Sequence, residues 1–201
     1  MLRPIIQKFE HLDHDVTREE LHEKAIAFTE EQFARKGSVP FMWALVQGSH
    51  VAWVETPWED EREKVAATRT IHQMMFGLGA TAYSFISEIW TCSFSVEQIG
   101  EEEFKRLSDF VTKHGVCELP PNLRDDAVMI TTFDRSPEYN FSQFLVTMRP
   151  PNRGLNFLGP RVDKPEGKDG QMSGRMWNLL RQPLDDKDLL NVLATSLSLQ
   201  K

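Results

Sequence analysis

Phe41-Met-Trp-Ala-Leu-Val46, Gln47-Gly-Ser-His50 and Val51-Ala-Trp-Val-Glu55 decide the fold. Two β-prone runs flank four residues whose centre, Gly48-Ser49, suits a two-residue type II′ turn, because glycine accepts the positive φ of the first position. A turn centred there pairs Trp43 with Val54 and Leu45 with Ala52 on one side of the sheet. Ala44 then meets Trp53, and Val46 meets Val51, on the other side. Both faces are apolar, so both need cover, from helices or, on one side, from an oligomer contact.

Working outward, Glu59 to Glu63 places acids where a helix N-terminus favours them, and Ala67, Ile71, Met74 and Leu78 recur at helical spacing before Gly79. The apolar run Ala80 to Cys92 follows, and Tyr83 to Cys92 predicts a central strand, large and apolar on both faces. Upstream, Thr17-Arg-Glu-Glu20 has the form of a capping box, and Leu21, Ala25 and Phe28 predict a helix over 18–35. Downstream, Ser95 and Gln98 open a helix that Phe104, Leu107 and Val111 continue and Gly115 stops. Ala127 to Phe133 and Phe141 to Met148 read as strands, and Leu155 to Val162 as a short edge strand weakened by Gly159 and Pro160. Leu189, Leu190, Leu193 and Leu197 predict a last amphipathic helix after Pro183. Residues 1 to 16 read as an irregular segment, and Asp163 to Gly174, rich in Gly, Lys and Asp, as a mobile loop.

The expectation is therefore α+β: one domain over 1–201, with an antiparallel sheet of about five strands and helices packed on it. The element order is α-β-β-α-β-(α)-β-β-α. That order resembles the roadblock and longin-type α/β/α folds, which lay helices across a five-stranded antiparallel sheet. The resemblance lies in element order and supplies no function.

Composition narrows the function classes. The 201 residues are 40% hydrophobic, with 13 Phe and 5 Trp, enough for a packed core. Formal net charge is −7 and uneven: Arg149 to Arg181 carries +4, and the residues before Arg149 about −10. So acidic a body repels nucleic acid and anionic membrane, and the expectation is neither as a partner. The basic stretch, with Arg153 and Arg161, is the exception and reads as a solvated loop or a partner site. Cys92 and Cys117 make no disulfide framework, and as free thiols they suit a cytoplasmic protein. Met1-Leu-Arg-Pro-Ile-Ile has no signal-peptide character, and no window approaches a membrane span. The compartment expected is the cytoplasm, or a virus assembled there.

Motifs for chemistry are sparse. His11-Leu-Asp-His14-Asp15 packs imidazoles and carboxylates together, so His11 and His14 are the metal-ligating candidates, but no distant His/Cys pair completes a site. Glu88 stands inside an apolar strand, where a carboxylate needs a basic partner such as Lys64, Arg69 or Arg124, or else sits in a cleft suited to acid/base work. His72 with Glu88 and Ser84 or Ser87 would make a hydrolase triad, yet no Gly-x-Ser-x-Gly elbow accompanies it. No nucleotide loop is present and no cofactor is expected. The reading is a non-catalytic protein-interaction or assembly subunit, a homo-oligomer joined through Val51 and Trp53 on a bare hairpin edge, with Arg153 and Arg161 toward a partner. The alternatives are a small hydrolase or ligand-binding protein with a cleft near Glu88, and an accessory or structural protein of a virus.

Overall fold

In a computed structural model, the structure describes residues 4–92, 95–135, 141–149, 154–157, 179–181, 183–185 and 187–188. The hairpin forms as its residues dictate. β2 (Met42–Gln47) and β3 (His50–Glu55) pair antiparallel, with Trp43 opposite Val54, Ala44 opposite Trp53, Leu45 opposite Ala52 and Val46 opposite Val51. Gly48 takes φ +56° at the turn, a value that a side chain would strain.

Around it runs a seven-stranded antiparallel sheet in the order β1-β3-β2-β4-β5-β6-β7. β4 (Ala82–Thr91) and β5 (Asp125–Asp134) are its longest strands and lie at its centre. β6 (Phe141–Arg149) follows β5, and β7 (Gly154–Phe157) forms one edge. β7 covers the start of the expected strand 155–162, whose residues 158–162 lie outside the described residues. The expected strands, the short edge strand included, are all present, and one more joins the sheet beyond β3.

The strand not expected is β1 (Ile5–His11), within the segment read as irregular. It pairs with β3 from Ile5 opposite Glu55 to His11 opposite His50, with a bulge at Gln7 between Ile6 and Lys8. This corrects the bare hairpin edge: β1 of the same chain lies along β3, and Val51 and Trp53 are buried.

Helices cover both faces. α1 (Arg18–Lys36) turns Leu21, Ala25, Ile26 and Phe33 onto Ala44, Val46, Trp53, Ala82, Ile86, Val128 and Ile130. α2 (Glu61–Gly77) turns Ile71 and Met75 onto Trp43, Leu45, Val54, Tyr83, Phe85 and Phe133 on the other face. Thr17 caps α1 by accepting the Glu20 N–H at 3.1 Å, but Glu20 turns its carboxylate to His14 instead of back to Thr17, so half of the expected capping box forms. Asp60 caps α2 through the Glu63 N–H.

The helix expected from Ser95 onward is two helices. α3 (Val96–Ile99) has the full Ser95/Gln98 capping box, and α4 (Glu101–His114) begins after Gly100, which takes φ +81° and ψ +157°. That conformation belongs almost solely to glycine and ends one helix before the next starts. The last amphipathic helix (Leu189 to Leu197), the loop 163–174, and Arg153 and Arg161 lie outside the described residues.

Candidate functional site

Three places bring polar chemistry together. The first is the face of the sheet under α1. Ser84 on β4 and Thr132 on β5 are register partners, their hydroxyl oxygens 2.6 Å apart, and Thr132 Oγ1 lies 2.7 Å from His22 Nδ1 of α1. All three residues are buried, which makes a sealed polar chain between helix and sheet. Hydroxyls both donate and accept, so the two oxygens and His22 Nδ1 can serve one another along this chain.

Glu88 lies farther along the same face and is half-buried. Its Oε1 accepts the Val39 N–H at 2.7 Å, the link from the chain after α1 to β4. This corrects the expected ion pair: among the described residues Glu88 has no basic partner, and Arg69 is engaged elsewhere. A carboxylate facing a buried amide terminates that backbone as a capping group does. The imagined triad is also corrected. Ser84 and Glu88 face α1, whereas His72 is on α2, on the opposite side of the sheet.

The second place is the contact of α2 with the C-terminal segment. Asp188 is buried, and Arg69 Nε donates to both of its carboxylate oxygens at 2.6 Å, with Gln73 Nε2 donating to Oδ1 at 2.6 Å. Arg69 Nη2 reaches Asp185 at 3.0 Å, and Asp185 Oδ1 accepts the Asp188 N–H at 2.8 Å. That backbone hydrogen bond, with Arg69 beside it, holds the Asp185 carboxyl below its ordinary range against a smaller upward push from burial. The Leu179 N–H meets the Tyr83 hydroxyl at 3.2 Å, bringing Leu179 into the aromatic core. A cleft of about 340 Å³ opens here, lined by Thr68, Arg69, His72, Leu179, Asp185 and Asp188. Among the described lining residues its one arginine is shared by two carboxylates, so the clamp ties the segment down.

The third place is β1. Ile5 and Ile6 are each 48% exposed and Phe9 is 66% exposed; Ile6 and Phe9, register partners of Val54 and Ala52, share the α2 face, and among the described residues the strand is paired on one side. Phe9 also borders a cleft of about 150 Å³ formed with Leu45, Ala52, Leu78 and Ala80. Glu10 anchors β1 to the body: its Oε1 accepts the Trp53 Nε1–H at 2.8 Å, with Lys8 Nζ at 3.1 Å and Lys24 Nζ at 3.4 Å from the carboxylate. Burial pushes the Glu10 carboxyl up, but hydrogen bonds from Lys8 and Trp53 and the charges of Lys8 and Lys24 outweigh it, so the net shift is downward.

The histidine pair diverges. His11 rests on the His50 ring, centroids 4.5 Å apart, while His14 lies between Asp13 at 2.7 Å and Glu20 at 2.8 Å, hydrogen bonds that raise its pKa. Among the described residues no group of three or more His, Cys, Asp or Glu is placed to hold a metal ion, and no helix is long and apolar enough to cross a membrane. Cys92 and Cys117 are both free. Burial, with Asp125 nearby, pushes the Cys92 thiol up, away from a reactive thiolate.

Sequence reasoning missed His22, Phe9 and the Asp188 clamp. His22 and Thr132 are 110 positions apart, and Arg69 and Asp188 119, so no local spacing marks them. No protein-family model matches the chain, nor does any curated protein or solved structure.

Proposed function

We propose that the protein is a non-catalytic interaction and assembly subunit, and that the open edge at β1 is its binding surface. One observation carries the reading: β1 exposes Ile5, Ile6 and Phe9 beside a strand edge that is unpaired among the described residues. Proteins ordinarily blunt such edges, since a row of free N–H and C=O groups templates pairing with another chain. The bulge at Gln7 twists only one end of β1, and Lys8 to His11 stay in regular register with β3. The other polar places suit internal work. The Ser84–Thr132–His22 chain is sealed, and the Arg69 clamp is neutralised by its own carboxylates. Two unbridged cysteines suit a reducing compartment, which supports a cytoplasmic location.

The test is site-specific photo-cross-linking in the producing cell, with a photoreactive residue at Ile6 and, separately, at exposed Phe76 on α2. Adducts from Ile6 and none from Phe76 are expected. Equal labelling from both, or none from Ile6, overturns the reading.

A further inference from the structure

We infer that the partner of β1 is a second copy of the same strand, joined antiparallel about a two-fold axis through Phe9, so that two sheets merge into one. This rests on the reading of β1 as an interaction edge and adds the identity and register of the partner.

Backbone direction comes first. The Leu12 N–H donates to the Ser49 carbonyl at 2.9 Å, continuing the register in which His11 meets His50 and Glu10 meets Val51. Groups aimed at a neighbouring strand alternate along an extended chain. Lys8, Glu10 and Leu12 therefore direct their N–H and C=O groups toward β3. Phe9 and His11 direct theirs outward, where the sheet order places no further strand among the described residues.

Charge then selects the register. In an antiparallel pair, facing residues must point alike, both toward the partner or both away. A self-pairing over Lys8 to Glu10 can therefore be centred on Lys8, Phe9 or Glu10. Centring on Lys8 sets lysine against lysine, and centring on Glu10 sets glutamate against glutamate, both destabilising. Centring on Phe9 sets Lys8 against the copy's Glu10 and Glu10 against the copy's Lys8. It also closes two hydrogen bonds between the outward N–H and C=O groups of the paired Phe9 residues. Phe9, the most exposed large apolar residue described, then faces its own counterpart beside the cleft of Ala52 and Leu78. Lys8 is already 3.1 Å from Glu10 within one chain, so the pairing adds a second acid and a second base to an existing contact.

The experiment is sedimentation equilibrium of the full chain over a concentration series. Wild type is expected to approach twice its chain mass. Phe9→Pro deletes an N–H aimed away from β3, leaves the β1–β3 ladder in place, and is expected to be monomeric. Lys8→Glu turns two cross-strand attractions into repulsions and is expected to weaken association roughly tenfold. Lys8→Glu with Glu10→Lys restores both pairs and is expected to recover it. Should the exchange fail to fold, because Glu10 also holds Trp53, the two single variants at positions 9 and 8 carry the test. A monomeric wild type at high micromolar concentration, or a dimer indifferent to Phe9→Pro and Lys8→Glu, overturns the inference. A monomer that still cross-links to other proteins through Ile6 removes the second copy and leaves the interaction edge standing; loss of both removes both.

Discussion

Trp43 and Trp53 occupy adjacent strands of one hairpin, point to opposite faces, and are held by different chemistry. Trp43 lies among Tyr83, Phe85 and Val54, its ring centroid 4.4 Å from that of Phe85, and its Nε1–H is satisfied by Thr56 at 2.8 Å, just past β3. Trp53 stacks on Phe28 of α1 at 4.5 Å and sends its Nε1–H to a carboxylate, Glu10, on another strand. The α2 face is thus filled mainly by aromatic volume, with Trp43 satisfied close to its own hairpin and the Tyr83 hydroxyl reached by the Leu179 N–H. The α1 face relies on hydrogen bonds between separate elements: Glu10 to Trp53, Glu88 to Val39, Thr132 to His22. One face is sensitive to the size of its side chains, the other to their polarity and to pH.

The largest effect that bears on this contrast is Trp43→Ala. Emptying a fully buried indole site should cost about 3–5 kcal/mol, read as a lower urea midpoint with unchanged slope. A cost below about 2 kcal/mol would mean that the aromatic face repacks freely and that volume is not what it depends on. The second is Thr132→Val, which keeps the shape and removes the hydroxyl shared by Ser84 and His22. Leaving buried polar groups short of a partner should cost about 1–3 kcal/mol, and a neutral result would make the polar chain passive filling.

The smallest effect is the response of β1 to acid. Glu10 titrates below the ordinary carboxylate value of 4.5 in the folded chain. Its stabilisation of β1 is therefore complete above that value and is lost as pH falls through the lowered one. Hydrogen exchange across Ile5–His11 should quicken relative to the hairpin as pH falls below the ordinary carboxylate range, and Glu10→Gln should flatten that difference. Equal acid response in the variant would detach Glu10 from the anchoring of β1.

What could be read from the sequence follows the range of each interaction. The hairpin register was legible because a glycine turn and a two-residue alternation fix it locally. β1 was not, although Ile5, Ile6 and Phe9 are good strand formers: the bulge at Gln7 interrupts the alternation, so the apolar residues fall out of phase. The sequence places the open edge on β3, whereas β1 covers β3 and the edge lies one strand farther out. Glu88 stands out in the sequence because an acid inside an apolar strand must be satisfied. Its partner was a backbone amide after α1, which no side-chain pattern announces. His22 sits in an ordinary helical stripe, and only packing reveals that it meets a hydroxyl on β5.

Gly100, between α3 and α4, has open space where a Cβ would be: among the described residues no atom other than its chain neighbours' lies within 4 Å of that position. Bulk therefore does not exclude a larger residue there; handedness does. The angles φ +81° and ψ +157° mirror an ordinary extended conformation, so L-alanine would be strained by about 1–3 kcal/mol while D-alanine would sit at ease. The break between the two helices is in this sense a question of chirality, answered by the one residue that has none.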